Sequence, residues 1–391
     1  ALTGVGVGTA DSINTSGIVT ATAFIPTSGQ LSHRNIAING AMQVAQRGSS
    51  TTITASNNSS INGYYAVDRM KIAAYVGSER YTLSQETDAP TGSGFNKSFK
   101  IKTSTADTSA NAGTYATFTY RIEGQDLQQL LKGTSSAKPL TISFWCKGNT
   151  NYTPVAELKD NTNVRINVQT FNVTTSWTKV ILTYVGDTTG GTIANDNTAG
   201  LSFNVWLKAA AAYSGGTSPA QNTWVAQSSQ NIRAALLTFD IGASTDNYFQ
   251  ITGLQIEVGD VATPFEHRSF GDELKRCLRY YEQSYRYGEV AGSANNYNGF
   301  IGQCISSNST GTAVYHLRFF EEKRVNPTVT TYRADTGTSG QWMAGRSGNN
   351  SFNVLVTVDS FSTKTCRTYV SVGVNYAACF IQGHYTAEAE L

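Results

Sequence analysis

The sequence predicts a mainly β protein with two sandwich-type domains, and three observations support this fold class. Aromatic residues make up 11% of the 391 residues, and Gly, at 36, far outnumbers Pro, at 7. Runs of alternating apolar and polar residues recur along the chain, with turns rich in Gly, Ser, Thr and Asn between them. A helical period of apolar residues is confined to short stretches. We therefore expect a jelly-roll or β-sandwich domain, a smaller β-sandwich tip domain, a short connecting helix and an extended N-terminal segment.

Charge and hydropathy exclude several classes of function. The chain has 29 basic and 27 acidic residues and a formal net charge of +2. It therefore has no general field that would draw it to nucleic acid or to an anionic membrane. No apolar run approaches the roughly 18 residues that span a bilayer, and the start of the chain lacks the features of a signal peptide. We expect no nucleic-acid partner and no membrane insertion. The first residue is not Met, which indicates processing or a longer product.

The N-terminal segment, residues 1–33, is built mainly from Gly, Thr, Ser, Ala and Ile. Within it, Ile18 and Val19 belong to a stretch with the period of a strand. Side chains this small cannot enclose a core. We expect the segment to lie extended against a neighbouring copy, a shaft or another protein, and a free terminus is the alternative.

Residues 34–267 are predicted to form the jelly-roll domain. Its strand-like runs include LTISFWCKG and YFQITGLQIEVG, with turn residues between successive runs. One helix is expected in EGQDLQQLLKGTS, with Leu127, Leu130 and Leu131 on one face and an end at Gly133.

Residues 268–287 change to a helical period and are predicted to form a connecting helix. Ser269 and Asp272 form a capping box at its start. The apolar stripe of this helix consists of Leu274, Cys277, Leu278 and Tyr281. In a symmetric oligomer this stripe could line the axis, and the alternative is that it packs on its own domain. The tyrosines that follow, from Tyr280 to Tyr287, favour inter-domain or inter-subunit packing.

Residues 288–391 are predicted to form the smaller tip sandwich, with about six strands in about 100 residues. The chain's five cysteines include no closely spaced pair. We expect buried free thiols, with a pairing of Cys366 and Cys379 across two strands as the weaker alternative.

Several stretches resemble a domain that is common in bacteriophage tail-fibre proteins. They are RNIAINGAMQVAQRG with the YYAVDRM that follows, LTISFWCKG, and ITGLQIEVGDVATPFEHRSFGDELKRCLRYYEQSY. The C-terminal part is similar to the tip module that often follows that domain, through LRFFEEKRVNPTVTTY and GHYTAEAEL. The lead-in SINTSGIVTATAF is similar to short segments of marine cyanophage structural proteins.

The resemblance implies a virion structural protein, assembled in the host cytoplasm, whose carbohydrate-binding-like jelly roll is followed by a distal β domain. We expect a tail fibre that attaches to host-surface glycans as a homotrimer, with its N-terminal segment held by tail, baseplate or capsid proteins. The candidate oligomer interface is formed by Leu274, Cys277, Leu278, Tyr281, Ile18 and Val19. A capsid decoration or head-fibre protein that binds no receptor is the first alternative.

Residues for catalysis or metal binding do not form a recognisable pattern. The four histidines have no metal-ligand spacing, and nucleophile-elbow and Walker motifs are missing. We expect no metal, no cofactor and no enzymatic activity. A tailspike-type glycanase is the second alternative, since it needs only two carboxylates that converge in space. The scattered candidates are Glu79, Glu123, Asp126, Glu157, Asp187 and Asp196.

Sugar binding requires an exposed aromatic ring and side chains that hydrogen-bond hydroxyl groups. Two predicted loops of the tip domain, GSANNYNG and GTSGQWMAGRSGNN, offer both kinds of group. The candidate receptor-binding residues are Asn295, Asn296, Tyr297, Asn298, Gln341, Trp342, Arg346, Asn349 and Asn350. The alternative is that Trp342 anchors a loop in the core and that the asparagines only form turns.

Overall fold

Two antiparallel sheets face each other in the first part of the chain. The computed structural model describes residues 33–109, 111–305, 311–346, 352–372 and 379–391. Sheet A has six strands, in the order β1 (Ser50–Thr52), β4 (Arg80–Glu86), β5 (Ser98–Thr105), β13 (Tyr248–Val258), β7 (Leu140–Gly148) and β10 (Thr178–Tyr184). Sheet B has seven strands, in the order β12 (Val225–Ala226), β9 (Arg165–Thr170), β8 (Val155–Asp160), β11 (Ala199–Ala209), β6 (Tyr115–Glu123), β3 (Lys71–Val76) and β2 (Ser59–Tyr64).

The main core lies between sheets A and B, and the alternation in the sequence explains it. On a strand, every second side chain points to the same face. Phe118 of β6 lies 6.4 Å from Phe249 of β13, and Phe203 of β11 lies 5.8 Å from Phe144 of β7, measured between ring centroids. These aromatic pairs join one sheet to the other, so the domain is the β-sandwich that the sequence predicts.

The helix expected in EGQDLQQLLKGTS forms as a 3-10 helix, Gly124–Leu130. Leu127 and Leu130 are buried in the core, as expected. The prediction that Leu131 shares their face is wrong, because Leu131 takes the left-handed conformation and is 44% exposed. Two further short helical segments, α1 (Ala211–Ser214) and the 3-10 turn Ile241–Ala243, lie in the connection between β11 and β13.

The connecting helix is shorter than residues 268–287. Helix α2 spans Phe270–Leu278, and the Ser269 side chain caps it by accepting a hydrogen bond from the backbone N–H of Asp272, as the capping box predicts. Strand β14 (Tyr281–Gln283) follows it and pairs with the last strand of the chain. The helix stops because Tyr281–Gln283 pair as a strand with residues 386–388. These partners lie about a hundred residues later in the sequence, so the local period of apolar residues cannot predict the pairing.

Two more antiparallel sheets form the C-terminal domain. Sheet C contains β14, β22 (Cys379–Glu388), β18 (Gln341–Arg346) and β19 (Phe352–Leu355), and β22 also pairs with β15 (Ile301–Ile305) and β17 (Thr328–Tyr332). Sheet D contains β16 (Gly311–Arg318), β21 (Thr365–Val372) and β20 (Thr357–Asp359). A core that includes Trp342 and Ile381 of sheet C and Val370 of sheet D joins the two sheets.

The C-terminal residues and the tyrosines after α2 lie against the first domain. The Tyr280 hydroxyl donates to the Glu123 carboxylate, and the Tyr287 hydroxyl accepts from the backbone N–H of Ala45. Glu390 forms ion pairs with Arg69 and Arg47. The tyrosine-rich stretch therefore packs between domains, which is one of the two arrangements its composition favours.

Cys146, Cys277 and Cys366 are buried free thiols. Cys366 lies on β21 of sheet D, whereas Cys379 belongs to β22 of sheet C. Cys366 is a free thiol and lies opposite Leu317 in the strand register, so the alternative that it faces Cys379 across a strand pair is wrong. No helix among the described residues is long and apolar enough to cross a lipid bilayer.

Candidate binding groove

A groove crosses the outer face of sheet B, the face turned away from the core. Its cavity volume is about 240 Å³. Strands β2, β3, β6, β8 and β11 supply the floor, and the connection between β11 and β13 supplies one wall. The lining residues are Ser60, Asn62, Ala73, Tyr115, Thr117, Thr119, Arg121, Lys159, Asn161, Ser202, Asn204, Trp206, Tyr213 and Arg233.

The polar floor of the groove results from the alternation of side chains along β6 and β11, in which every second residue points outward. While the intervening residues of both strands point into the core, Thr119 and Asn204 point outward and lie directly opposite each other in the strand register. The Thr119 hydroxyl donates to Asn204 Oδ1 at 2.8 Å. Asn161 Nδ2 donates to the Ser202 hydroxyl at 2.8 Å. The floor is therefore a row of hydroxyl and amide groups that already hold one another in place.

Glu157 on β8 holds several groove residues in place on the outer face of sheet B. Its side chain is fully buried and accepts from Nε and from one terminal nitrogen of Arg233, both at 2.7 Å. It also accepts from Asn204 Nδ2 at 2.9 Å and from Trp206 Nε1 at 3.3 Å. Burial opposes the charged form of Arg233, but the Glu157 carboxylate outweighs it and raises the pKa of Arg233. The carboxylate therefore fixes the orientation of an amide, an indole and a guanidinium at once.

Three aromatic rings form the wall at one end of the groove. The ring centroids of Tyr115 and Tyr213 are 4.7 Å apart, and those of Tyr213 and Trp206 are 5.3 Å apart. Trp206 is buried beneath the guanidinium of Arg233, whose central carbon lies 4.8 Å from the ring centroid. Tyr115 and Tyr213 are half-buried. The two tyrosines are therefore the rings with surface available to a ligand.

The wall is positioned by the segment that begins with α1. The backbone N–H of Ala210 donates to the Thr114 carbonyl at the start of β6, and the N–H of Ala234 donates to the Tyr213 carbonyl. These bonds pin Tyr213 over the outward-facing end of β6. Hydroxyl and amide groups on a floor beside aromatic rings are the combination that binds sugars, since the rings stack on C–H faces and the polar groups bond hydroxyls.

The structure corrects part of the predicted receptor site in the tip domain. Trp342 is fully buried and its indole N–H donates to the His384 carbonyl, so it anchors β18 and offers no ring face to a ligand. Asn296 is also buried, and its carbonyl contacts the His384 ring. Both fill the core of the tip, as the alternative proposed for Trp342 states.

The other tip candidates are placed differently. Asn295, Tyr297 and Asn298 are exposed on one loop, with Tyr297 48% exposed, and Gln341 is half-buried on β18. Arg346 is the last residue of β18, and Asn349 and Asn350 lie outside the described residues. Among the candidates within the described residues, Asn295, Tyr297 and Asn298 therefore form one exposed cluster, and Asn296 between them is buried.

The candidate oligomer interface is only partly accessible. Cys277 and Tyr281 are buried within the chain itself, so the prediction that they line a symmetry axis is wrong. Tyr281 pairs with Glu388 of β22, and its carbonyl accepts from Gln46 of the first domain. Leu274 and Leu278 are half-buried. Ile18 and Val19 lie outside the described residues.

Five of the six carboxylates considered for a glycanase have partners of their own, and the sixth, Asp126, lies near Glu123, so partial desolvation and this negative charge raise its pKa. Glu79 pairs with Lys208, Glu123 with Arg279, and Glu157 with Arg233. Asp187 pairs with Lys132 and Arg165. Asp196 accepts from Thr198, and Asp126 is exposed. Across the described parts of the chain, no three His, Cys, Asp or Glu side chains are grouped so that they could hold a metal ion.

The groove was not predicted from the sequence, although its outward-facing residues carry a signal. The strands YATFTYRIE and LSFNVWLKA carry Thr, Arg, Asn and Trp at their outward positions. These side chains can hydrogen-bond or stack on a ligand, which is more than a face exposed only to water requires. What the sequence lacks is the knowledge that β6 and β11 are neighbours. Thr119 and Asn204 are 85 residues apart in the chain.

Comparisons with known proteins find solved structures that align with part of this chain at low identity. No protein-family model matches the chain, and no curated protein matches it either. The enzymatically active domain of tailspike protein 4 of bacteriophage CBA120 aligns over 57% of this chain at 13% identity, with a TM-score of 0.27. The chain spans only 21% of that tailspike chain.

Carbohydrate-binding modules also align with the chain. The family 11 module of the cellulase Lic26A-Cel5E of Clostridium thermocellum aligns over 55% of this chain and 100% of the module, at 12% identity and a TM-score of 0.25. The CBM22-1 xylan-binding domain of Paenibacillus barcinonensis Xyn10C aligns over 54% of this chain and 100% of that domain, at 11% identity and a TM-score of 0.23. Likenesses at this level do not assign a function.

Proposed function

We propose that this chain is a glycan-binding structural protein of a bacteriophage particle, of the tail-fibre type, which holds a host-surface saccharide without cleaving it. The observation that carries the binding proposal is the groove of sheet B, where two half-buried tyrosines stand beside a floor of ordered hydroxyl and amide groups. The phage assignment rests on the motifs of the sequence that resemble tail-fibre domains.

Preorganisation is the physical reason why this groove suits a sugar. Asn204 is held by Thr119 on one side and by Glu157 on the other, so little side-chain freedom remains to be lost on binding. The rings of Tyr115 and Tyr213 can stack on the apolar face of a pyranose, while the floor exchanges hydrogen bonds with its hydroxyls. Each contact is weak, so a single site of this kind supports a modest affinity.

Adhesion then depends on several copies acting together. We propose a homotrimer whose N-terminal segment is held by other virion proteins, so that repeated weak sites gain avidity of about 10²–10⁴ over one site. Of the candidate interface residues that the structure describes, Leu274 and Leu278 are half-buried and can still contact another copy. Light scattering of the purified chain tests this, because a mass of one chain, near 42.0 kDa, would contradict the trimer.

A binding screen with matched variants tests the proposed function. The full chain is applied to an array of bacterial surface polysaccharides, together with Tyr213→Ala and Tyr248→Ala. Tyr248 is a half-buried tyrosine on the outer face of sheet A, and it controls for the loss of a ring as such. We expect Tyr213→Ala to lose about tenfold or more in affinity and Tyr248→Ala to bind as wild type.

The same screen separates the groove from the tip and from an enzyme. Loss of binding in Tyr297→Ala with full binding in Tyr213→Ala would move the site to the exposed tip loop. Shortening of a bound polysaccharide during incubation would reject the non-enzymatic reading. Absence of binding to every saccharide would reject the proposed function.

A further inference from the structure

The charges that line the groove all have one sign. Arg121, Lys159 and Arg233 face it, and its lining includes no Asp or Glu. Glu157 lies on the same face of sheet B, buried beside the groove, and forms two hydrogen bonds with Arg233. This ion pair neutralises one of the three cations, which leaves Arg121 and Lys159 as the uncompensated charges of the site.

Arg121 and Lys159 form no ion pair within the described residues, and Glu157, the carboxylate that acts on Lys159, is already paired with Arg233. Neither side chain takes part in any ion pair or hydrogen bond found there, and the Nε atom of Arg121 is buried without a hydrogen-bond partner. Both side chains are half-buried. Burial is the main cause that lowers the pKa of Lys159, and the like charges of Arg233 and Arg121 add to it, while Glu157 opposes them. A chain with only 14% charged residues therefore concentrates unpaired positive charge in this groove.

The strand register places these cations on either side of one hydroxyl. Ser202 of β11 lies opposite Arg121 of β6 and opposite Lys159 of β8. Because neighbouring strands are about 4.8 Å apart, the two backbone positions are separated by roughly 10 Å, with Ser202 midway between them. Long flexible cations at this separation can converge on a single anionic group above the serine.

We propose that the groove takes an acidic saccharide, whose carboxylate or sulfate group lies over Ser202 between Arg121 and Lys159. This inference rests on the proposed function and narrows it to one chemical class of ligand. The aromatic wall receives the sugar ring, and the cation pair selects for the charged substituent. A neutral saccharide would leave both cations desolvated and unpaired, so it binds less tightly.

Matched pairs of polysaccharides test the charge requirement. The full chain is titrated calorimetrically with polygalacturonate and its methyl-esterified form, and with dextran sulfate and dextran. Within each pair the sugar backbone is the same, and the members differ in whether its acidic groups are present as anions: carboxylates against methyl esters in one pair, sulfates against hydroxyls in the other. We expect about tenfold or greater preference for the charged member of at least one pair, and weaker binding as salt is raised.

Variants locate the charge requirement in the groove. Arg121→Gln and Lys159→Gln should each lower the affinity for the acidic polymer about tenfold, so that the preference for the charged member of the pair shrinks or disappears. Lys159→Arg should retain the preference, since it keeps the charge. Lys179→Gln is the matched control, because Lys179 is an exposed cation on β10 of sheet A, and it should bind as wild type.

The outcomes separate the inference from the proposed function. Equal binding of charged and neutral partners, unaffected by Lys159→Gln, would overturn the acidic-ligand inference while the groove still binds sugar. An oligonucleotide that binds more tightly than either acidic polymer, and loses affinity in Lys159→Gln, would also overturn it. Failure to bind any saccharide would reject both. The salt dependence of the wild-type chain needs no substitution, so a variant that misfolds does not remove the test.

Discussion

Arg233 and Glu157 form a bidentate ion pair at the edge of the groove, with two nitrogen–oxygen distances of 2.7 Å. The Glu157 side chain is completely buried, and that of Arg233 is 13% exposed. Removing one partner from such a pair leaves a desolvated charge without compensation. The pair therefore links the stability of sheet B to the shape of the groove.

Glu157→Gln should destabilise the chain by about 3 kcal/mol, because Arg233 then faces a neutral amide. Chemical denaturation measures the change in the free energy of unfolding. Glu321→Gln is the control, since Glu321 pairs with the 68% exposed Lys275 at 3.7 Å and should matter far less. Equal effects of the two substitutions would contradict the assigned role of Glu157.

Glu390→Gln should also be strongly destabilising, because Glu390 compensates the buried Arg69 at the contact between the two domains. We expect a loss of about 3 kcal/mol in the free energy of unfolding. Glu388→Gln changes the same side chain two residues earlier, at an exposed position of β22, and should have little effect. If Glu390→Gln unfolds like wild type, the ion pair does not hold the C-terminal residues against the first domain.

His384 should make the tip domain sensitive to mild acid. Its ring is buried, stacks on Tyr285 at 3.8 Å between centroids, and contacts the Ser284 hydroxyl. Burial lowers the pKa of His384 below the ordinary value of 6.5. The unfolded chain therefore takes up this proton at a higher pH than the folded chain, so stability is full above 6.5 and falls as the pH drops below it.

Denaturation of wild type and His384→Gln between about pH 7.5 and about pH 5 measures this effect. The free energy of unfolding of wild type should fall more steeply with acid than that of His384→Gln. His316→Gln, at an exposed position of β16, should keep the wild-type slope. Parallel slopes for wild type and His384→Gln would show that His384 is not buried as a neutral ring.

Cys146, Cys277 and Cys366 should resist alkylation in the native protein. All three thiols are buried, and burial raises the pKa of Cys146 and of Cys366 to about 12, so almost no thiolate forms near neutral pH. Mass spectrometry after iodoacetamide treatment should find these residues unmodified without denaturant and labelled with it. Rapid labelling of Cys146 in the native state would contradict its position between the sheets.

Local patterns predicted much of the fold but not its long-range pairings. Alternation predicted the strands of both domains, and Ser269 predicted the start of α2. The end of α2 could not be predicted, because Tyr281 pairs with Glu388 at the other end of the C-terminal domain. Trp342 stands among Gly and Ser in the sequence and resembles a loop residue. In the structure it packs on the backbone of Gly383, where a Cβ atom would collide with its ring.

The groove illustrates the same limit at the level of function. The outward residues of each strand can be identified from the sequence by their alternation. The site itself forms only because β6, β8 and β11 lie side by side in sheet B. Asn204 meets Glu157 across 47 residues of chain and Thr119 across 85. The tip loops were predicted because sugar-binding residue types are contiguous there, whereas the groove residues are dispersed over several strands.

Hydrogen–deuterium exchange on the full chain, with and without a saturating bound polysaccharide, tests the location of the site most directly. We predict added protection in α1 and in residues 230–234, which form the wall of the groove, and no change in residues 295–298 of the tip loop. Protection confined to residues 295–298, with the wall unchanged, would contradict the groove as the binding site.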